Sequence, residues 1–263
     1  MKKYAPFLAL ATVILVAPSA VQIANAREPI LDAILNDVRT LYNKQQRPSV
    51  LVGVDGCLFD SRPRTLQILL EYGREELKGA RPDAAAKLKI LSTEQIQFLL
   101  ADTLKSVGIN EPAVLNNAAV FWGQRFFTDD YLKYDVATPG SVQFIRALYS
   151  SGARIIYTTE RDAPRQLLGT VRVLRDRGYP IGIQGTELVM KPTTQTQDAV
   201  FKQQVANYLR HFDHVIVAFD SEPANVNGYR RAFPKANVVL CSAPHSPNPP
   251  PLVKGVTHLS RFQ

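Results

Sequence analysis

The chain has 263 residues, 46% of them hydrophobic, and a formal net charge of +8. That length and apolar content support a sizeable core and exclude a disordered or fibrous protein. Two cysteines exclude a disulfide framework, and the scattered basic residues form no run that would mark a nucleic-acid footprint.

Residues 1–26 read as a secretory signal peptide. Lys2 and Lys3 precede an apolar run from Ala5 to Val16, and Ala24-Asn25-Ala26 supplies a small-x-small cleavage site. The mature chain would begin at Arg27, be periplasmic or extracellular, and have no membrane attachment once the leader is removed. Without Lys2 and Lys3 the charge is about +6, a mild preference for anionic partners.

Residues 28–45 carry Ile30, Ile34, Val38 and Leu41 at helical spacing, and Arg47-Pro48 ends that helix. Val50, Leu51 and Val52 then form a β-branched apolar run closed by glycine and the turn Asp55-Gly56. This reads as a buried strand of a parallel sheet. A carboxylate at the carboxyl end of such a strand stands where open α/β sheets bind ligands.

Residues 62–138 read as helical. Leu66, Leu69, Leu70 and Tyr72 fit one face. Ser92-Thr93-Glu94-Gln95 is a capping-box pattern leading into a stripe of Ile96, Leu99, Leu100 and Leu104. Phe121, Trp122, Phe126 and Phe127 form an aromatic cluster, read as ordinary core with an apolar lid as the alternative.

From Thr138-Pro139-Gly140 strands and helices alternate. Val142, Ile145, Leu148 and Tyr149 predict a helix, Arg154–Tyr157 a strand, and 158–161 a turn. Leu167, Leu168, Val171 and Leu174 predict the next helix. Short strands follow near Ile181–Ile183 and at Leu188–Met190. Phe201, Val205, Tyr208 and Leu209 mark another helix, and His214–Phe219 and Ala236–Leu240 the last strands. Such alternation predicts parallel βαβ units in a Rossmann-like sheet flanked by helices. The proline-rich 246–251 cannot be helix or inner strand, and reads as an extended surface segment. Cys57 and Cys241 could both lie near the carboxyl edge of the sheet, either bridged or as two buried thiols.

The stretch Val50 to Leu58 resembles the first motif of the haloacid dehalogenase (HAD) superfamily of phosphohydrolases, Asp-x-Asp-Gly-Thr-Leu after an apolar strand. Aligned on Asp55-Gly56 and Leu58, the acid/base aspartate falls on Asp55, Cys57 takes the threonine place, and the nucleophile position falls on Gly53. Sliding the register to make Asp55 the nucleophile would misplace the glycine. Three further motifs follow in order. Ile155–Arg161 resembles the second, with Thr159 as the phosphoryl-binding hydroxyl and Glu160 where many relatives have glycine. Lys202 resembles the third-motif lysine, with Lys191 as runner-up. Val215–Pro223 resembles the fourth, with Asp220 as a metal ligand and Glu222 as a further candidate. Asp135-x-x-x-Pro139-Gly140 and Arg161-Asp162-x-Pro164 are similar to secreted acid-phosphatase-like members.

The resemblance implies a HAD-like core at 27–61 and 139–263, with a helical cap at 62–138 inserted after the first strand. It also implies Mg²⁺ held by Asp220 and the Asp55 carbonyl, with Gly53 removing one anionic ligand and weakening the ion. Covalent catalysis needs a positioned nucleophile. The chain is therefore expected to be non-catalytic or very weakly active, binding a small phosphorylated ligand or a protein partner through the old phosphate pocket. The alternative is an active Mg²⁺-dependent phosphatase using direct water attack. A structural or redox role for Cys57 and Cys241 is the third reading.

Overall fold

The computed structural model describes residues 28–263; the expected leader lies outside the described residues. Helix α1 (Pro29–Asn43) buries Leu31, Ile34, Leu35 and Val38 and leads into β1 (Ser49–Gly53). Every residue of β1 is buried, as a central strand covered on both faces requires. After the turn come β2 (Phe59–Asp60) and α2 (Arg62–Tyr72), continued by a π-helical turn Gly73–Leu77 and the short α3 (Lys78–Ala80). Next are α4 (Pro82–Lys89), α5 (Leu100–Ser106), α6 (Pro112–Phe126) and β3 (Val136–Ala137), which pairs antiparallel with β2.

Strands and helices then alternate: α7 (Ser141–Ser150), β4 (Arg154–Asp162), α8 (Ala163–Asp176), β5 (Thr186–Lys191), α9 (Asp198–Phe212), β6 (Val215–Asp220), α10 (Pro223–Ala232), β7 (Asn237–Cys241) and β8 (Val256–Leu259). The main sheet has six strands in the order β5-β4-β1-β6-β7-β8, all pairs parallel. One face packs on α1 and α7 through Ile34, Val38, Phe144 and Leu148. The other packs on α9 and α10 through Phe201, Leu209, Val226 and Tyr229. A third apolar cluster, around Ile68, Tyr72, Leu88, Leu104 and Phe121, lies within the helices between β2 and β3. Each large side chain fully buried in these clusters contributes about 1.5–3 kcal/mol of transfer free energy.

Several local expectations are corrected. The capping box at Ser92 and Gln95 forms, yet it opens only the single turn Thr93–Gln95. Ile96 leaves the helix to bury itself, the Gln97 amide turns to the Thr103 hydroxyl at 2.9 Å, and Leu99 stays exposed. The buried face of α2 is Arg64, Thr65, Ile68, Leu69 and Tyr72, with Leu66 and Leu70 at its margin. Residues 158–161 belong to β4, because pairing with β5 continues to Asp162 across a bulge. The strand after α8 is β5, while 181–183 lie in a bend before it. β8 follows the proline-rich segment as a parallel edge strand that the pattern did not announce.

The largest correction concerns α8. It buries Gln166, Gly169, Thr170, Val173 and Leu174 and exposes Leu167, Leu168 and Val171. Gly169 sits so close to the 3₁₀ turn Asp129–Tyr134, which precedes β3, that a Cβ there would fall 2.5 Å from the Asp129 carbonyl oxygen. Its amide donates to the Asp129 carboxylate.

Candidate functional site

The strand order sets the ends of β4, β1 and β6 side by side. Gly53 pairs with Thr158 across β1 and β4, and Val52 pairs with Phe219 just before Asp220. The turn after β1 holds Asp55, and Gly56 follows at φ +75°. A Cβ on Gly56 would collide with Ser221 Oγ at 2.2 Å, so only glycine lets the turns after β1 and β6 approach. The Ser221 hydroxyl donates to the Asp55 carbonyl at 3.3 Å.

On one side of this edge stands Asp55. Its Oδ2 accepts from the Thr159 hydroxyl at 2.7 Å. Arg161 grips both carboxylate oxygens, Nε at 3.1 Å from each and Nη2 at 2.7 Å from Oδ1. The same Nη2 reaches Asp135 Oδ2 at 2.7 Å, and Arg161 Nη1 donates to the Thr170 hydroxyl of α8. Arg64, from α2, closes the group. Its Nε is 2.9 Å from Asp135 Oδ1, its Nη2 is 3.6 Å from Asp55 Oδ1, and its guanidinium lies over the Phe126 ring. Burial would raise the Asp55 carboxyl, but the Arg161 and Arg64 charges and the hydrogen bonds outweigh it and hold Asp55 at about 2. Burial pushes Asp135 up despite the same two arginines. A carboxylate held that low keeps its charge at neutral pH and is poorly matched to proton donation.

On the other side stands Lys202, in the second turn of α9 and only 2% exposed. Its Nζ donates to Asp220 Oδ2 at 2.9 Å and lies 3.3 Å from Glu160 Oε1. Burial disfavours its charge, and Asp220 and Glu160 overcome that and raise it well above the ordinary lysine value. Asn225 Nδ2 bridges Glu160 Oε1 and Asp220 Oδ1, and the Tyr229 hydroxyl donates to Asp220 Oδ2. Burial raises Glu160 to about 7, with Lys202 opposing and Asp220 and Asp55 adding to the rise.

Gly53 lies between these halves. A Cβ there would lie 3.5 Å from Asp220 Oδ2, the oxygen that Lys202 holds, in ordinary contact with nothing closer. The residues present do not fit a divalent cation. Asp220 already accepts four hydrogen bonds, and the Glu222 carboxylate accepts from the Ser246 amide and hydroxyl. Among the described residues no group of three or more His, Cys, Asp or Glu side chains is arranged to hold a metal.

The structure thus brings Gly53, Asp55, Thr159, Lys202 and Asp220 to one sheet edge. Glu222 reaches the edge only by its amide, which donates to Asp220 Oδ1. Lys191 ends β5 and pairs with Asp198 instead. Arg64 was missed: a charged residue on the buried face of an amphipathic helix was its only signal. Asn225, which stands where relatives carry a second acid, bonds Asp220 and Glu160; Tyr229 lies one turn further along α10, with nothing in its type to distinguish it from core. Phe121 joins the core within the helical insert, while Phe126 stacks on Trp122 at 4.2 Å and adjoins the site through Arg64. Cys57 and Cys241 are free and buried, and burial together with the hydrogen bond that the Cys57 thiol makes to Cys241 raises the Cys57 thiol.

No family profile matches the chain, and no curated protein does. Solved structures do. A phosphatase-like protein from Clostridium difficile aligns over 74% of this chain and 84% of its own, at 17% identity and a TM-score of 0.49. CbbY from Rhodobacter sphaeroides, in complex with phosphate, aligns over 82% and 95% at 13% identity and 0.48. A hydrolase from Streptococcus pneumoniae aligns over 71% and 89% at 12% identity and 0.46. The strand order β5-β4-β1-β6-β7-β8, with Asp55, Thr159, Lys202 and Asp220 at the ends of its adjoining strands and helix, is that of a Rossmann-like α/β core with a helical insert after its first strand.

Proposed function

We propose that the chain is an exported HAD-superfamily protein without phosphoryl-transfer chemistry, which binds a ligand or a protein partner through the pocket that its relatives use for phosphate. Its core would be 27–61 and 139–263, and its cap 62–138. One observation carries the reading. A side chain at position 53 would point beside Asp220 Oδ2 and Lys202, and glycine puts no carboxylate there. Neither Asp55 nor Cys57 has the nucleophile's surroundings: Asp55 is clamped by Arg161 and Thr159, and the Cys57 thiol is buried and raised.

The test is turnover of p-nitrophenyl phosphate by the purified chain with and without Mg²⁺. The expected result is none above buffer. Turnover that is Mg²⁺-dependent and lost in Asp55→Ala would overturn the reading. The convergence of Asp55, Thr159, Lys202 and Asp220 favours the alternative, an active Mg²⁺-dependent phosphatase working by direct water attack, and the same assay decides between them. The leader at 1–26 supports export, and the length of the purified mature chain tests it.

A further inference from the structure

An ionised carboxylate offers about four lone-pair positions for donors. Asp220 has all four filled from within the protein. Oδ1 accepts the Glu222 amide at 3.0 Å and Asn225 Nδ2 at 3.1 Å; Oδ2 accepts Lys202 Nζ at 2.9 Å and the Tyr229 hydroxyl at 3.3 Å. Three of those donors are buried side chains, and Lys202 has no exposed position to retreat to. A Mg²⁺ ion binds carboxylate oxygens at about 2.0–2.1 Å and keeps an octahedral shell, so it would have to expel one of them.

The second carboxylate of this group comes from an unexpected strand. Glu160, on β4 beside β1, places Oε1 at 3.3 Å from Lys202 and 3.2 Å from Asn225. Position 53 would direct a side chain toward the same Asp220–Lys202 pair and has none. A buried ammonium needs counter-charge around it. Glu160 sets a second carboxyl oxygen against Lys202, beside the Asp220 carboxylate, without any contribution from β1.

We infer that Lys202 is the resident cation of this site in place of a divalent metal, with Glu160 supplying from β4 the carboxylate that Gly53 cannot supply from β1. The pocket is then an ammonium–dicarboxylate centre, closed without any ion from solution. This deepens the non-catalytic reading and rests on its assignment of position 53.

Melting curves and titration calorimetry of the purified chain, with MgCl₂ or EDTA at matched ionic strength, test it. The wild type is expected to melt at one temperature in both and to show no heat of Mg²⁺ binding. Lys202→Met leaves Asp220 and Glu160 facing each other without a cation. It should melt lower in EDTA, recover part of the loss in MgCl₂ but not in NaCl, and bind Mg²⁺ at least about tenfold more tightly than the wild type. Saturable Mg²⁺ binding by the wild type overturns the inference, and so does a folded Lys202→Met chain that ignores Mg²⁺. Should that variant not fold, Glu160→Gln serves instead: it keeps Lys202 on Asp220 and should stay indifferent to Mg²⁺ while changing the pH dependence of melting; a gain of Mg²⁺ response, or a pH dependence equal to the wild type's, overturns the inference. Phosphatase turnover without metal binding would sink the non-catalytic proposal and leave this one standing. Metal binding without turnover would do the reverse.

Discussion

Asp55 and Arg161 form a forked pair, in which Arg161 Nε and Nη2 together hold both oxygens of the one carboxylate that the first motif retains. Arg161 Nη2 also holds Asp135, which is fully buried. Arg161→Met would strand two carboxylates with only Arg64 between them. Breaking a buried pair from one side costs about 3–5 kcal/mol. Urea unfolding of Arg161→Met should show a loss of that size, and a loss below about 1 kcal/mol would mean that Arg64 alone carries the group.

The same pair makes stability acid-sensitive. Asp55 sits at about 2 in the folded chain against an ordinary 3.8. A lowered carboxyl contributes stability that is complete above the ordinary value and is lost as pH falls toward the folded one. Stability should therefore drop between about pH 4 and pH 2. The slope of melting temperature against pH in that window should flatten in Asp55→Asn; an unchanged slope would assign the loss to other carboxyls.

Glu160 should act in the opposite sense. It is raised from 4.5 to about 7, so the folded chain binds its proton more tightly than the unfolded one. Its contribution is complete below 4.5 and is lost as pH rises to about 7. Glu160→Gln should remove that decline. Parallel pH–stability curves for variant and wild type between pH 4.5 and 7 would refute the assignment.

Gly53→Asp can be accommodated, since a Cβ at 53 makes only ordinary contacts of 3.5–3.6 Å. The new carboxylate would crowd Asp220 and stand opposite Thr158 in the strand register, whose buried hydroxyl has no hydrogen-bond partner among the described residues. The variant should melt lower than wild type in EDTA and recover with Mg²⁺. Calorimetry that finds no gain in Mg²⁺ affinity would mean that Lys202, Asn225 and Tyr229 hold Asp220 too tightly for one carboxylate to reopen it.

Gly56→Ala is the sharpest backbone test. The residue has φ +75°, and the added methyl would meet Ser221 Oγ at 2.2 Å. Strained positions of this kind cost about 1–3 kcal/mol, and the clash adds to that. A melting temperature equal to wild type would show that the turns after β1 and β6 are not held in contact.

The sheet was legible because β1, β4, β6 and β7 are short apolar runs ending at glycine or polar residues, a pattern that burial on both faces imposes. The helix faces were harder to read where polar side chains replaced apolar ones inside. Gln166 and Thr170 of α8 turn inward to meet the Phe126 carbonyl and Arg161, so Leu167 and Leu168 face solvent against their hydropathy. Asp55, Thr159, Lys202 and Asp220 could be named from order along the chain. Arg64 could not, because it enters from the helical insert; Asp135 and Arg161 were visible as parts of a motif, and only the folded chain brings them to Asp55. Glu160 was visible as an extra negative charge beside the pocket; its service to Lys202 needed coordinates.

The Ser246 grip on Glu222 ties the proline-rich segment to the turn after β6. A proteolytic cut within residues 246–251 would therefore do more than shorten a surface strap. It would unhook a carboxylate two residues from Asp220, and a processed form of the chain would present a more acidic pocket mouth than the intact one.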